Sequence, residues 1–159
     1  MSTPKPPTFR VRLLRAALLS TLFALLVQSD ARAGEEHDRV LIMLNARNPT
    51  QNLQAADVKK LFLGQTAFWH GVVPVKVAVR PDSSEAARQF YGLIGMTPQA
   101  FRKHWDEVQL AGRGVAPKTV GSAQDLAQAI GQIPGGIGFV LASETWSLQN
   151  RTVKVIEVR

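Results

Sequence analysis

The 159-residue chain contains no cysteine. Disulfides, thiolate metal ligands and thiol catalysis are therefore excluded. Export is not, because a domain of this size can hold an adequate core without covalent staples. Aromatic residues make up only 7%, and they do not alternate with a basic run, so a nucleic-acid-binding stripe is missing. No segment has the roughly 20 apolar residues that a bilayer span needs. No internal repeat and no linker-like stretch divides the chain, which excludes a repeat architecture and argues for one folded domain.

The first 33 residues form a leader of another kind. Lys5, Arg10, Arg12 and Arg15 precede the apolar run 16–27 (AALLSTLFALLV), and Ala31-Arg32-Ala33 fits an A-x-A cleavage site. These three regions predict a cleaved signal peptide over residues 1–33 and a periplasmic domain over 34–159. The alternative is an uncleaved membrane anchor. Without the leader, the formal charge of +7 falls to +3, with 14 basic and 11 acidic residues. That mild balance gives no reason to expect nucleic acid as a partner.

Residues 34–38 (GEEHD) make a polar start. Glu35, Glu36, His37 and Asp38 are local, and nothing fixes a coordination geometry, so no metal site is expected. Residues 39–44 (RVLIML) have the length and apolarity of a central strand. Residues 55–63 carry Val58, Leu61 and Phe62 on one helical face, with Gly64 as the stop. Phe68, Trp69, His70 and Gly71 are expected in a loop. Thr97-Pro98 opens a helix to about Val108 that aligns Phe101, Trp105 and Val108. Residues 109–118 are expected as a loop whose glycines, Gly112 and Gly114, allow close backbone approach. Ser122 caps a helix over 123–132. After the turn at Pro134-Gly135-Gly136 come strands over 137–141 and 152–158.

The stretch 75–95 (VKVAVRPDSSEAARQFYGLIG) joins a strand to a helix. Val75, Val77 and Val79 alternate as a half-buried strand does. Pro81 ends it. Asp82, Ser83 and Ser84 are all N-cap types, and Glu85 lies three after Asp82, the spacing of a capping box. Ala86, Ala87, Phe90, Tyr91 and Ile94 then keep helical period. Two readings of the join stand. Asp82 or Ser83 merely caps a helix beside a solvated Arg80, or the unpaired N–H groups, the serine hydroxyls and the Arg80 fork together receive an oxyanion.

Taken in order, LFLGQTAFWHG, VAVRPDSSEAARQFYGLIG and GRGVAPKTVGSAQDLAQAIGQIPGGIGFV resemble the phosphate-binding proteins of bacterial ABC transporters. More broadly, they are similar to the type II periplasmic binding protein fold. That family has an F-L-G-K segment with a downstream Trp, a strand running into R-x-D-G-S-G-T, and a later P-G-A-I-G-Y. The matching residues here are Leu63-Gly64 with Trp69, then Arg80-Pro81-Asp82, then residues 134–139. The resemblance covers about residues 39–141. It implies a single layered α/β lobe of that fold. It further implies that Arg80 grips phosphate, that Asp82 braces Arg80, and that Ser84, with Ser83 beside it, donates to the anion.

Two departures accompany the match. Glu85 stands where the family has its second glycine, and Ala86 where it has threonine. The second lobe has no counterpart. The implied function is an exported solute-binding-like protein for inorganic phosphate or a related oxyanion, working with a membrane transporter or sensor. An alternative is a one-lobed interaction or sensory module that kept the fold and lost the ligand. A homodimer in which a second copy supplies the absent wall is a further alternative. No cofactor is implied. An enzyme is not expected, because Ser83 or Ser84 with His70 or His104 lacks a hydrolase elbow.

Overall fold

A computed structural model describes residues 38–148 and 151–159 of the chain. The leader expected over residues 1–33 and the start of the polar segment at 34–37 lie outside the described residues. The order of elements is β1 (Val40–Asn45), α1 (Ala55–Phe62), β2 (Phe68–Trp69), β3 (Val73–Pro74), β4 (Lys76–Val79), α2 (Glu85–Leu93), α3 (Pro98–Leu110), β5 (Lys118–Thr119), α4 (Ala123–Gly131), β6 (Gly136–Leu141), a 3-10 helix (Ala142–Ser147) and β7 (Val153–Ile156).

Five strands form one mixed sheet in the order β5-β4-β6-β1-β7. β4 runs parallel to both β5 and β6, while β1 is antiparallel to β6 and β7. β6 lies at the centre, and all six of its residues are buried. The pleat sends alternate side chains to opposite faces. Ile42 and Leu44 of β1 join one core with α1, α2 and α3, and Met43 joins a second with α4. The result is a layered α/β/α domain.

The first core is centred on three rings. Phe90 stacks on Phe139 at 4.1 Å between centroids and meets Phe62 at 4.5 Å. One residue each from α2, β6 and α1 thus locks three elements together. On the opposite face Gly138 lets α4 lie close to the sheet. A Cβ there would come within 2.7 Å of Ile130 Cδ1.

Several boundaries differ from expectation. Residues 68–74 form a short hairpin, β2–β3, rather than a loop, because Trp69 is buried and its indole N–H donates to the Gly135 carbonyl at 3.1 Å. α3 runs on to Leu110, and Lys118, expected to end a loop, joins Thr119 in pairing with Ala78 and Val79 as β5. The Pro134-Gly135-Gly136 turn serves the fold. The Gly135 carbonyl also accepts from Lys76 N–H at 3.0 Å, and a Cβ on Gly135 would collide with the Pro74 carbonyl.

α1 and α3 are tied at one point. The last carbonyls of a helix lack intrahelical donors. Here Trp105 Nε1–H donates to the Phe62 carbonyl at 3.2 Å, and His104 Nε2 is paired with the Leu63 carbonyl at 2.9 Å. His104 is thereby a structural donor to a backbone oxygen.

Candidate functional site

β4 ends at Val79, so Arg80 emerges at the carboxyl edge of the sheet, beside the start of the 3-10 helix that follows β6. Ligands gather at such edges in open α/β sheets. Arg80 is buried, with 7% of its surface exposed. Its Nη1 donates to Glu144 Oε1 at 3.0 Å. Its Nε is buried and has no hydrogen-bond partner among the described residues. A buried donor without a partner carries a desolvation cost of about 1–3 kcal/mol.

The expected brace on Arg80 is not Asp82. Asp82 instead accepts from the Tyr91 hydroxyl at 2.8 Å and pairs with Arg102 of α3. The reason is geometric. Asp82 sits on the turn after Pro81, exposed and aimed toward α2 and α3, whereas Arg80 points inward beneath the 3-10 helix. Glu144 takes the bracing position, and its second oxygen accepts the Leu141 N–H at 3.0 Å. Nothing local in the sequence marks Glu144 for this role, since it lies 64 residues beyond its partner.

The N-cap of α2 is Ser84. Its Oγ accepts from Ala87 N–H at 3.1 Å. The Asp82–Glu85 capping box does not form. Glu85 turns along the exposed flank of α2, where it receives Arg88 Nε at 2.8 Å and Gln89 Nε2 at 2.8 Å. These donors hold the Glu85 carboxyl below its ordinary range, the Arg88 hydrogen bond first.

Ser83, Ser84 and Asp82 border one shallow recess of about 250 Å³, together with Glu85, Arg88 and Thr97, so the Glu85 carboxylate remains at the edge of the serine site. Arg80 is not among the residues lining it. The two serines are thus brought together, and the arginine stands behind them. Burial raises the Tyr91 phenol above its usual value. The ring stays neutral at physiological pH and keeps donating to Asp82.

This lobe, with strand, arginine and capped helix at the carboxyl edge, has the fold of phosphate ABC transporter substrate-binding proteins. No family model and no curated protein sequence matches the chain. Among solved structures it is similar to an ABC-type phosphate transport receptor from Vibrio cholerae, with 22% identity and a TM-score of 0.59. It is also similar to a putative phosphate ABC transporter substrate-binding protein with bound phosphate from Clostridium perfringens, with 16% identity and a TM-score of 0.59. PstS from Borrelia burgdorferi superimposes with 14% identity and a TM-score of 0.59. These alignments take in 76%, 76% and 77% of this chain, but only 46%, 45% and 47% of the respective partners. The chain spans under half the length of the proteins whose fold it shares.

Proposed function

We propose that the protein is an exported solute-binding-like protein of the periplasm that receives phosphate or a related oxyanion between Arg80 and the amino end of α2, and passes it to, or reports it to, a membrane transporter or sensor. One observation carries this reading: a buried guanidinium at the carboxyl edge of the sheet keeps one donor, Nε, without a partner among the described residues. A buried polar atom left unpaired in a native fold calls for a ligand or a water. The first turn of α2 adds unpaired N–H groups and the positive end of the helix dipole. Ser83 and Ser84 supply hydroxyls beside it, and Asp82 orders the turn through Tyr91 and Arg102. On this reading the domain over 34–159 follows a cleaved leader, and the protein has no enzymatic step.

The test is a thermal-shift titration with phosphate, sulfate and other oxyanions. Saturation at one hundred times Kd stabilises the fold by about 2.7 kcal/mol. Arg80→Ala abolishes the shift, and Ser84→Ala weakens it. No shift in millimolar anion would remove this reading.

A second reading is favoured by a specific observation. Glu144 already neutralises Arg80, and the arginine stands outside the serine recess. A module that kept the fold and lost its anion, and that now binds a protein partner or a second copy of itself, would show this pairing. It predicts a stable interaction in the absence of any oxyanion response.

A further inference from the structure

A larger cavity lies elsewhere. A cleft of about 680 Å³ opens beside the amino half of β4, between the segment after α1, helix α3 and the loop leading into β5. Small-molecule sites commonly have volumes of about 300–1,000 Å³. None of Arg80, Ser83 and Ser84 lines it, so it does not depend on the oxyanion reading.

The floor is apolar. Trp105, Val108, Val77 and Leu63 face it. Two glycines bring the walls onto the indole. A Cβ on Gly64 would come within 3.0 Å of the Trp105 ring, and one on Gly114 within 3.1 Å of Val108 Cγ1. The rim carries Lys76, Arg113 and Lys118, and among the described residues no carboxylate lines the cleft. None of the three cations is in an ion pair with a described residue. By contrast, Arg80, Arg88 and Arg102 around the α2 site are each matched by an acid.

We propose that this cleft is a binding site for a monocarboxylate with an apolar body. An inorganic anion would leave the indole floor wetted, and a neutral apolar molecule would leave the rim charges without a counterion. The amphipathic anion satisfies both. The geometry also selects a small molecule over a peptide. β5 covers only Ala78 and Val79, so among the described residues the β4 edge at Lys76 and Val77 has no strand on this side. Two open residues are too few for strand addition, which relies on a run of main-chain hydrogen bonds.

Decanoate is the probe, and the indole N–H of Trp105 is the reporter. Three tryptophans give three indole signals, assigned with Trp105→Phe. The Trp105 signal of the isotope-labelled protein is expected to move saturably with decanoate, and to stay still with decanol or inorganic phosphate. The Lys76→Gln, Lys118→Gln double variant is expected to bind decanoate about tenfold more weakly, since two exposed charge contacts are each worth up to about fivefold. Should that variant lose its native spectrum, Arg113→Gln on the exposed loop is expected to weaken binding about threefold. An unmoved Trp105 signal, decanol binding as well as decanoate, or a natively folded charge variant with unchanged Kd would each overturn the proposal. A dimer in sedimentation that persists in decanoate, with the indole unmoved, would make the cleft a subunit interface and overturn it equally.

Discussion

Arg80 and Glu144 lie 64 residues apart in sequence and 3.0 Å apart in the fold. Glu144 spans two donors, the guanidinium and the Leu141 N–H, and so holds the exit of β6 against the exit of β4. The side chains are 8% and 25% exposed. Losing one member of a pair this well buried is expensive. Arg80→Ala should destabilise by about 3 kcal/mol, and Glu144→Gln, which keeps only one of two acceptors and leaves the buried guanidinium without its counter-charge, by about as much. Urea denaturation at neutral pH measures both.

The same pair bears on the proposed anion site. Glu144→Gln removes the charge that already neutralises Arg80. The phosphate Kd should then fall about fivefold, equivalent to about 1 kcal/mol. Calorimetric titration of the variant against the parent decides it, and an unchanged Kd would show that Glu144 does not compete with the anion.

The two serines separate by role. Ser84 caps α2 through Ala87 N–H, while Ser83 makes no such bond. Ser84→Ala should cost about 1 kcal/mol, whereas Ser83→Ala should lie within about 0.5 kcal/mol of the parent. Thermal melts in phosphate-free buffer read the cap alone. Repeating them in phosphate reads any contribution to the anion.

Tyr91 is the sole tyrosine of the chain. Burial raises its pKa above 10.0 in the folded state. Below the unfolded value both states hold the proton and the contribution is complete. Above it the unfolded chain releases the proton first, so stability falls from about pH 10 up to the folded pKa. Absorbance at the phenolate band should give a folded midpoint above 10 that drops toward the ordinary value in strong denaturant. Tyr91→Phe should flatten the alkaline part of the stability curve.

Phe90 is fully buried between Phe62 and Phe139. Phe90→Ala should cost about 3–5 kcal/mol, because three elements around the ring cannot all collapse into the void. Phe90→Leu should recover a good part of that loss. Denaturant midpoints with unchanged slopes would confirm that the effect is packing.

Much of the architecture was legible because it is local. Thr97 and Ser122 cap their helices through Ala100 N–H and Asp125 N–H, as their placement before apolar periods requires. The 39–44 run is interior to the sheet as its continuous apolarity demands. The short β2–β3 hairpin and β5 were not legible. Two-residue strands have no period to read, and they exist here because Gly135 and Val79 offer partners far along the chain. Among the site residues, capping chemistry marked Asp82, Ser83 and Ser84 alike and pointed to Asp82 or Ser83, whereas the fold gives the cap to Ser84. The partner of Arg80 was not legible, since Asp82 is nearer in sequence but lies on an exposed turn that tilts toward Tyr91 and Arg102.

By itself the order of residues determined the alternation of helix and strand, the caps, the two-sided character of the sheet and the position of Arg80 at a strand end. Periodicity, proline and cap chemistry act within a few residues, and they survive whatever the rest of the chain does. Only the tertiary structure decided which acid meets Arg80, and that, among the described residues, its Nε has no partner and three cations without an ion pair ring an apolar cleft beside β4. Those outcomes depend on which distant segments the sheet brings together and on how much water it leaves between them.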